Sequence, residues 1–209
     1  MTWVVVTKAD SRARAMADRH YTRQHPGHSQ WTRPGYSAVL IASAPLGQAL
    51  FVWWRPKWEH GTPGTDRKDH LRCLECTHFR REGSPAQEAE REVLPKASTL
   101  ILEAVEMLTH PDVRAELHID TAGEIRDGLI TGVGTTATAS RRSKHAEPGR
   151  CFQMAGWQRM EKCTRRASVW WQFQWTDPGP RPGAARGLRF DAGQGRLFDL
   201  RGFRVARAM

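Results

Sequence analysis

No run of apolar residues in this chain approaches the length of a membrane span, and the opening Met1-Thr2-Trp3-Val4-Val5-Val6 is too short and too uncharged for a secretion signal. These absences predict a cytoplasmic protein with no membrane partner. Cysteine is scarce too, with four in 209 residues, and in a reducing compartment such residues read as thiols or ligands rather than bridges. The core has no need of bridges, because 39% hydrophobic and 26% charged residues are ordinary for a globular chain. Acid is what the sequence is short of: 22 Asp and Glu stand against 32 Lys and Arg, a formal net charge of +10. That balance favours polyanions through counterion release and long-range attraction, so nucleic acid is the first partner to consider. Compositional bias is the plainer rival.

A chain of this length builds one domain with a tail. The domain is expected over residues 1–176. From Asp177 the composition turns to Pro, Gly and Arg, which predicts an extended or disordered basic tail over 177–209. Within the domain, the β-branched run Thr2 to Val6 reads as a strand, and Asp10-Ser11 caps a helix from Arg12 to about His20. Tyr21 to Tyr36 is a basic, irregular loop. Ser37 to Ser43 and Gln48 to Arg55 flank Pro45-Leu46-Gly47 as a hairpin. Leu71 to Phe79 alternates as a strand, and Ala97-Ser98-Thr99 opens a helix that His110-Pro111 ends. Glu116 to Asp120 is expected to be a short strand, and Gly123 to Ser140 a mobile segment. Pro148 starts a short helix that Gly156 stops, and strands follow over Gln158 to Arg165 and Ala167 to Trp175. The nine Trp exceed what the core requires, and several neighbour basic residues, as in Trp31 with Arg33 and Trp53-Trp54-Arg55. That interleaving suits stacking on bases, although plain core is the alternative.

Two segments carry a resemblance. Thr77-His78-Phe79-Arg80-Arg81-Glu82-Gly83 followed by Ala97-Ser98-Thr99-Leu100-Ile101 looks like the strand, loop and helix that face the acyl donor in the GNAT acyltransferase superfamily. Pro148-Gly149-Arg150-Cys151-Phe152-Gln153-Met154-Ala155-Gly156-Trp157 looks like that superfamily's late helix and its glycine-aromatic pair. In layout the chain resembles the superfamily's phage and prophage branch, with the Mom DNA-modification proteins nearest. The resemblance implies an α/β fold with a GNAT-like mixed central sheet flanked by helices, in a bacterial host cell. It also implies an enzyme transferring a small acyl or carbamoylmethyl-like group to a base amine of DNA, adenine favoured, with acyl-CoA as the superfamily's usual donor. Two departures bear on that donor: the pyrophosphate loop is reduced to Gly83 with Glu88, Glu90 and Glu92 inserted after it, and Phe152 stands where a tyrosine acid often sits. A conventional acetyl-CoA N-acetyltransferase and a non-catalytic DNA-binding module on the same scaffold are the alternatives.

Transfer to a base amine needs a proton-handling group, a polar strand end to orient the amine, and cations for the phosphates. His20 and Tyr21 at the end of the first helix are candidates for the first, Asp120 for orienting or deprotonating the amine, and Glu75 for a base if it points to the cleft. A helix-terminal histidine, a turn-capping aspartate and a paired structural carboxylate are the respective rivals. Arg80, Arg81, Gly83, Ser98 and Thr99 would meet a donor, unless Ser98 and Thr99 merely cap. Arg33, Arg141, Arg142, Lys144 and Arg150 are the candidate nucleic-acid contacts. Cys73 and Cys76 with His78 and His70 have metal-like spacing, but on a strand the two cysteines face opposite ways, so no metal ligand is assigned. Cys151 reads as a core thiol. In the tail, Gln194, Leu197 and Phe198 resemble the short peptides that bind the bacterial sliding clamp.

Overall fold

The computed structural model describes residues 2–20, 26–28, 30–45, 47–56, 72–83, 94–134, 148–160, 168–181, 188–191 and 195–199. Seven strands form the body of a mixed sheet: β1 (Thr2–Val6), β2 (Tyr36–Ala44), β3 (Gly47–Arg55), β4 (Leu74–Gly83), β5 (Leu129–Gly134), β6 (Gln158–Arg159) and β7 (Ser168–Phe173). Their order is β6-β7-β5-β4-β3-β2-β1, and a hairpin of β8 (Leu188–Asp191) and β9 (Gly195–Asp199) continues it beyond β1. The β4–β5 pair is parallel, and the other pairings are antiparallel. The expected α/β class and the flanked mixed sheet are therefore present.

Strict alternation builds the sheet's two apolar faces. Trp3 and Val5 of β1, Leu40 of β2, Phe51 and Trp53 of β3 and Leu74 of β4 point to one face. There they meet α2 (Ala97–Glu106), a following 3-10 turn (Met107–Thr109), α3 (Pro111–Glu116) and α4 (Arg150–Met154), which contribute Leu100, Ile101, Leu108, Val113 and Phe152. Val4, Val6, Val39, Ile41, Leu50 and Val52 point the other way and are covered by Ala13, Met16 and Ala17 of α1 (Ser11–Asp18), together with Trp31. Each large side chain so buried contributes roughly 1.5–3 kcal/mol. Helix α1 starts where its cap predicts, because the Asp10 carboxylate accepts from the N–H groups of Arg12 and Ala13 at 2.8 and 3.2 Å.

Three expectations are corrected. Glu116 to Asp120 is not a strand: Pro111 opens α3 at its first turn, where a missing N–H costs nothing, and His110 accepts from the Asp112 N–H at 3.2 Å. The fifth strand lies instead at Leu129–Gly134, inside the segment expected to be mobile. Gly132 obscured it in the sequence, yet the glycine is required there, because a Cβ would come within 2.8 Å of the Trp170 ring on β7. The strand from Gln158 is shorter than expected, ending at Arg159. Packing also runs past the composition change at Asp177. Arg114 and Asp177, both buried, pair at 2.7 Å, and the Arg181 N–H donates to the Thr109 carbonyl at 3.1 Å.

Candidate functional site

The sheet opens between its two parallel strands. Leu74, Glu75 and Cys76 pair with Leu129, Ile130 and Thr131, and beyond them β4 follows β3 while β5 follows β7. At the point of divergence the β3–β4 register slips: Trp53 faces Cys76 but Val52 faces His78, so Thr77 is an extra residue. A bulge of this kind re-aims a strand and leaves its extra residue outside the ladder. Thr131 braces the junction by donating its hydroxyl to the Cys76 carbonyl at 2.9 Å. Ligands of open α/β sheets bind at such divergences, outside the carboxyl ends of the strands.

Side chains gather at this opening from both faces. On the α1 face the His78 ring lies 5.3 Å from that of His20 and 5.7 Å, edge-on, from Trp31, and its Nδ1 is 3.2 Å from the Thr77 hydroxyl. His20 is buried, with Nε2 3.1 Å from the Phe79 carbonyl. A carbonyl only accepts, so Nε2 carries the proton and donates. Desolvation pushes the imidazole down to about 4, so His20 is neutral at pH 7. On the opposite face Phe79 meets Phe152 of α4 edge-on at 6.0 Å, and Trp157 packs behind at 5.0 Å.

Further along the α1 face lies Glu75, with a side chain only 3% exposed. It accepts from the Arg33 guanidinium at 2.7 Å, and that guanidinium also lies 5.4 Å from the centre of the Trp54 ring. Trp54 is held by a 3.0 Å donation from Nε1 to the Pro34 carbonyl and by Gly35, whose φ of +135° and lack of Cβ let the backbone lie against the indole. No protein-family model, curated protein or solved structure matches the chain. The assignment of chemistry therefore rests on this geometry.

Of the expected site residues, His20 and Glu75 lie on this face of the sheet, and Arg33 pairs with Glu75 there. Tyr21 lies outside the described residues, as do Arg141, Arg142, Lys144, His70 and Gln194. Asp120 sits elsewhere, exposed on the turn after α3, where its N–H and that of Thr121 donate to Glu124 at 2.7 Å. Arg55 holds that turn by pairing with Glu124 at 2.9 Å and donating to the carbonyls of Leu117 and His118. Leu197 and Phe198 are registered against Val4 and Trp3 in the β1–β9 pairing. Arg150 is exposed at the start of α4.

The residues expected to hold an acyl-CoA diphosphate fit that group poorly. Arg80 pairs with Glu82 and donates to the Arg19 carbonyl, while Arg19 itself pairs with Glu82 at 2.6 Å. Arg81 is spent on the carbonyls of Pro95 and Leu94, at 3.1 and 3.0 Å. Gly83 ends β4 exposed, and neither Ser98 nor Thr99 caps α2, whose N-cap is Lys96 without a side-chain bond. Among the described residues no three His, Cys, Asp or Glu are grouped to hold a metal ion, and Cys73 and Cys76 belong to different apolar clusters. Nor is any helix of the described residues long and apolar enough to cross a membrane.

Thr77, His78 and Trp31 were missed as a site by sequence reasoning. A bulge arises from how β4 pairs with β3, a tertiary event with no local signature. The tryptophans near basic residues divide: Trp31 and Trp53 are buried and Arg55 is turned inward to the carbonyls it caps, whereas Trp54 is only partly buried and faces Arg33.

Proposed function

We propose that this chain is a GNAT-like transferase that places a small acyl or carbamoylmethyl-like group on an amine of a nucleic-acid base. The supporting observation is the bulged divergence of parallel strands β4 and β5, with His78, His20 and Glu75 on the α1 side of the sheet. An excess of ten positive charges favours a polyanionic acceptor over a cationic one.

In this reading the acceptor amine attacks the electrophilic carbon of the donor. The new N–C bond forms as the donor's bond to its leaving group breaks and its electron pair departs with that group. The proton shed by the amine passes to His78. Neutral and anchored on the Phe79 carbonyl, His20 is a positioning residue that holds the His78 ring. Glu75 accepts an N–H of the acceptor and so orients it. A base inside a duplex is out of reach of such a cleft, so the substrate is single-stranded or flipped.

The test is mass spectrometry of nucleosides digested from DNA of cells expressing the chain, beside a His78→Asn variant. A new nucleoside mass that appears with the intact chain and is lost in the variant is the expected outcome. Unaltered nucleosides, with acetylation of a small amine or a protein by the purified chain and acetyl-CoA, would replace this reading with a conventional acetyltransferase. Unaltered nucleosides with DNA binding alone would reduce it to a binding module.

A further inference from the structure

We infer that Glu75 and Trp54 form a recognition site for guanine, which Arg33 occupies in this structure. This rests on the proposal that the acceptor is a nucleic-acid base and concerns which base it is. What holds Arg33 is a buried carboxylate accepting at 2.7 Å and an indole face 5.4 Å from the guanidinium carbon. That is a site for a flat group carrying adjacent N–H donors on one edge, stacked on an aromatic ring.

The four DNA bases differ on this edge. An ionised carboxylate only accepts, so it needs donors opposite it. Guanine presents N1–H and the exocyclic N2 amine side by side, two donors in the fork that a guanidinium also offers. Adenine and cytosine each present one amine beside a ring nitrogen acceptor, which a carboxylate repels. Thymine presents a single N–H between two carbonyls. Guanine is therefore the neutral base that satisfies Glu75 without protonating it, whereas the resemblance to Mom proteins implies adenine.

The setting suits exchange of one planar group for another. Arg33 comes from the irregular segment preceding β2, and its side chain is 40% exposed, whereas Glu75 is 3% exposed on a central strand. The guanidinium can swing outward while the carboxylate stays. Trp54 is fixed by Pro34 and Gly35, so the stacking surface is preformed. Removing Arg33 takes a charged donor from the buried Glu75, which a ligand bearing donors replaces. A positively charged ligand would also fit the carboxylate, but the chain's net charge of +10 opposes its approach.

The experiment is titration of the full-length chain with deoxyguanosine, deoxyinosine and deoxyadenosine, followed by tryptophan fluorescence. Deoxyinosine lacks only the N2 amine, so this comparison needs no variant. Deoxyguanosine is expected to bind about 10-fold more tightly than deoxyinosine, as for the loss of one hydrogen bond to a charged group. Deoxyadenosine should bind weakest. Arg33→Ala should tighten deoxyguanosine by a similar factor, and Glu75→Gln, checked for folding by circular dichroism, should remove the preference. Equal binding of deoxyguanosine and deoxyinosine, or tighter binding of agmatine than of any nucleoside, overturns the assignment. A modified adenine in cellular DNA with no guanine preference would sink it while leaving the transferase reading intact. Guanine preference with no modified nucleoside would do the reverse.

Discussion

Burial fixes the charge of His20 and gives it a pH signature. Its folded value of about 4 lies below the ordinary imidazole value of 6.5, because desolvation penalises the imidazolium. The unfolded chain therefore binds a proton between those limits that the folded chain does not. Stability from this residue is full above pH 6.5 and is lost as pH falls toward 4, a loss of about 2.5 kcal/mol by pH 4.5. His20→Gln keeps a donor for the Phe79 carbonyl but cannot titrate, so between pH 7 and 4.5 it should lose about 2.5 kcal/mol less than the wild type in urea unfolding. Equal losses would show that His20 does not titrate in this window. The thiols behave differently: burial pushes Cys151 up to about 11 and Cys76 well above its ordinary value, so both stay protonated at neutral pH, which suits core thiols rather than nucleophiles.

The elements divide by whether a local signal fixes them. Helix α1 is set by Asp10, whose carboxylate accepts two first-turn N–H groups and pairs with Arg12 at 2.8 Å. Asp10→Ala should cost about 1–2 kcal/mol by urea unfolding, and Asp10→Ser should recover most of it, since serine caps as well. An Asp10→Ser chain as unstable as Asp10→Ala would shift the effect from the cap to the ion pair with Arg12. Such elements were legible in the sequence: β1 from its β-branched run, the β2–β3 hairpin from two apolar runs around a turn, α1 from its cap and α2 from its apolar period. Strand β5 was not, because Gly132 reads as a loop residue until Trp170 is known to lie across it. Helix α3 was missed for the opposite reason, since His110-Pro111 reads equally as a stop and as a first turn. Glu75 and His20 could be singled out by residue type and position. Their joining through Arg33 to Trp54, and to His78 at a bulge, depends on strand pairing that no local pattern encodes.

At the scale of the whole molecule the question is where the charge excess resides. Ion pairs among the described residues include Asp10 with Arg12, Glu75 with Arg33, Glu82 with Arg19 and Arg80, Glu124 with Arg55, and Asp177 with Arg114. These contacts join six arginines to five carboxylates and so hold only one positive charge in excess. Nearly all of the net charge of +10 is thus carried by side chains outside these pairs, where it favours a polyanion. If four phosphates of a single strand are neutralised, the association constant should fall roughly 50-fold between 50 and 200 mM salt, from a slope of about −0.7 per phosphate. Fluorescence anisotropy with a labelled oligonucleotide measures this directly. The slope reports phosphates alone, because base stacking and hydrogen bonds to Glu75 release no counterions. Arg33→Ala should therefore leave the slope unchanged if Arg33 serves the base site, and lower its magnitude by about 0.7 if Arg33 tracks the backbone. Affinity that ignores salt would remove nucleic acid from consideration and return the acceptor to a small amine.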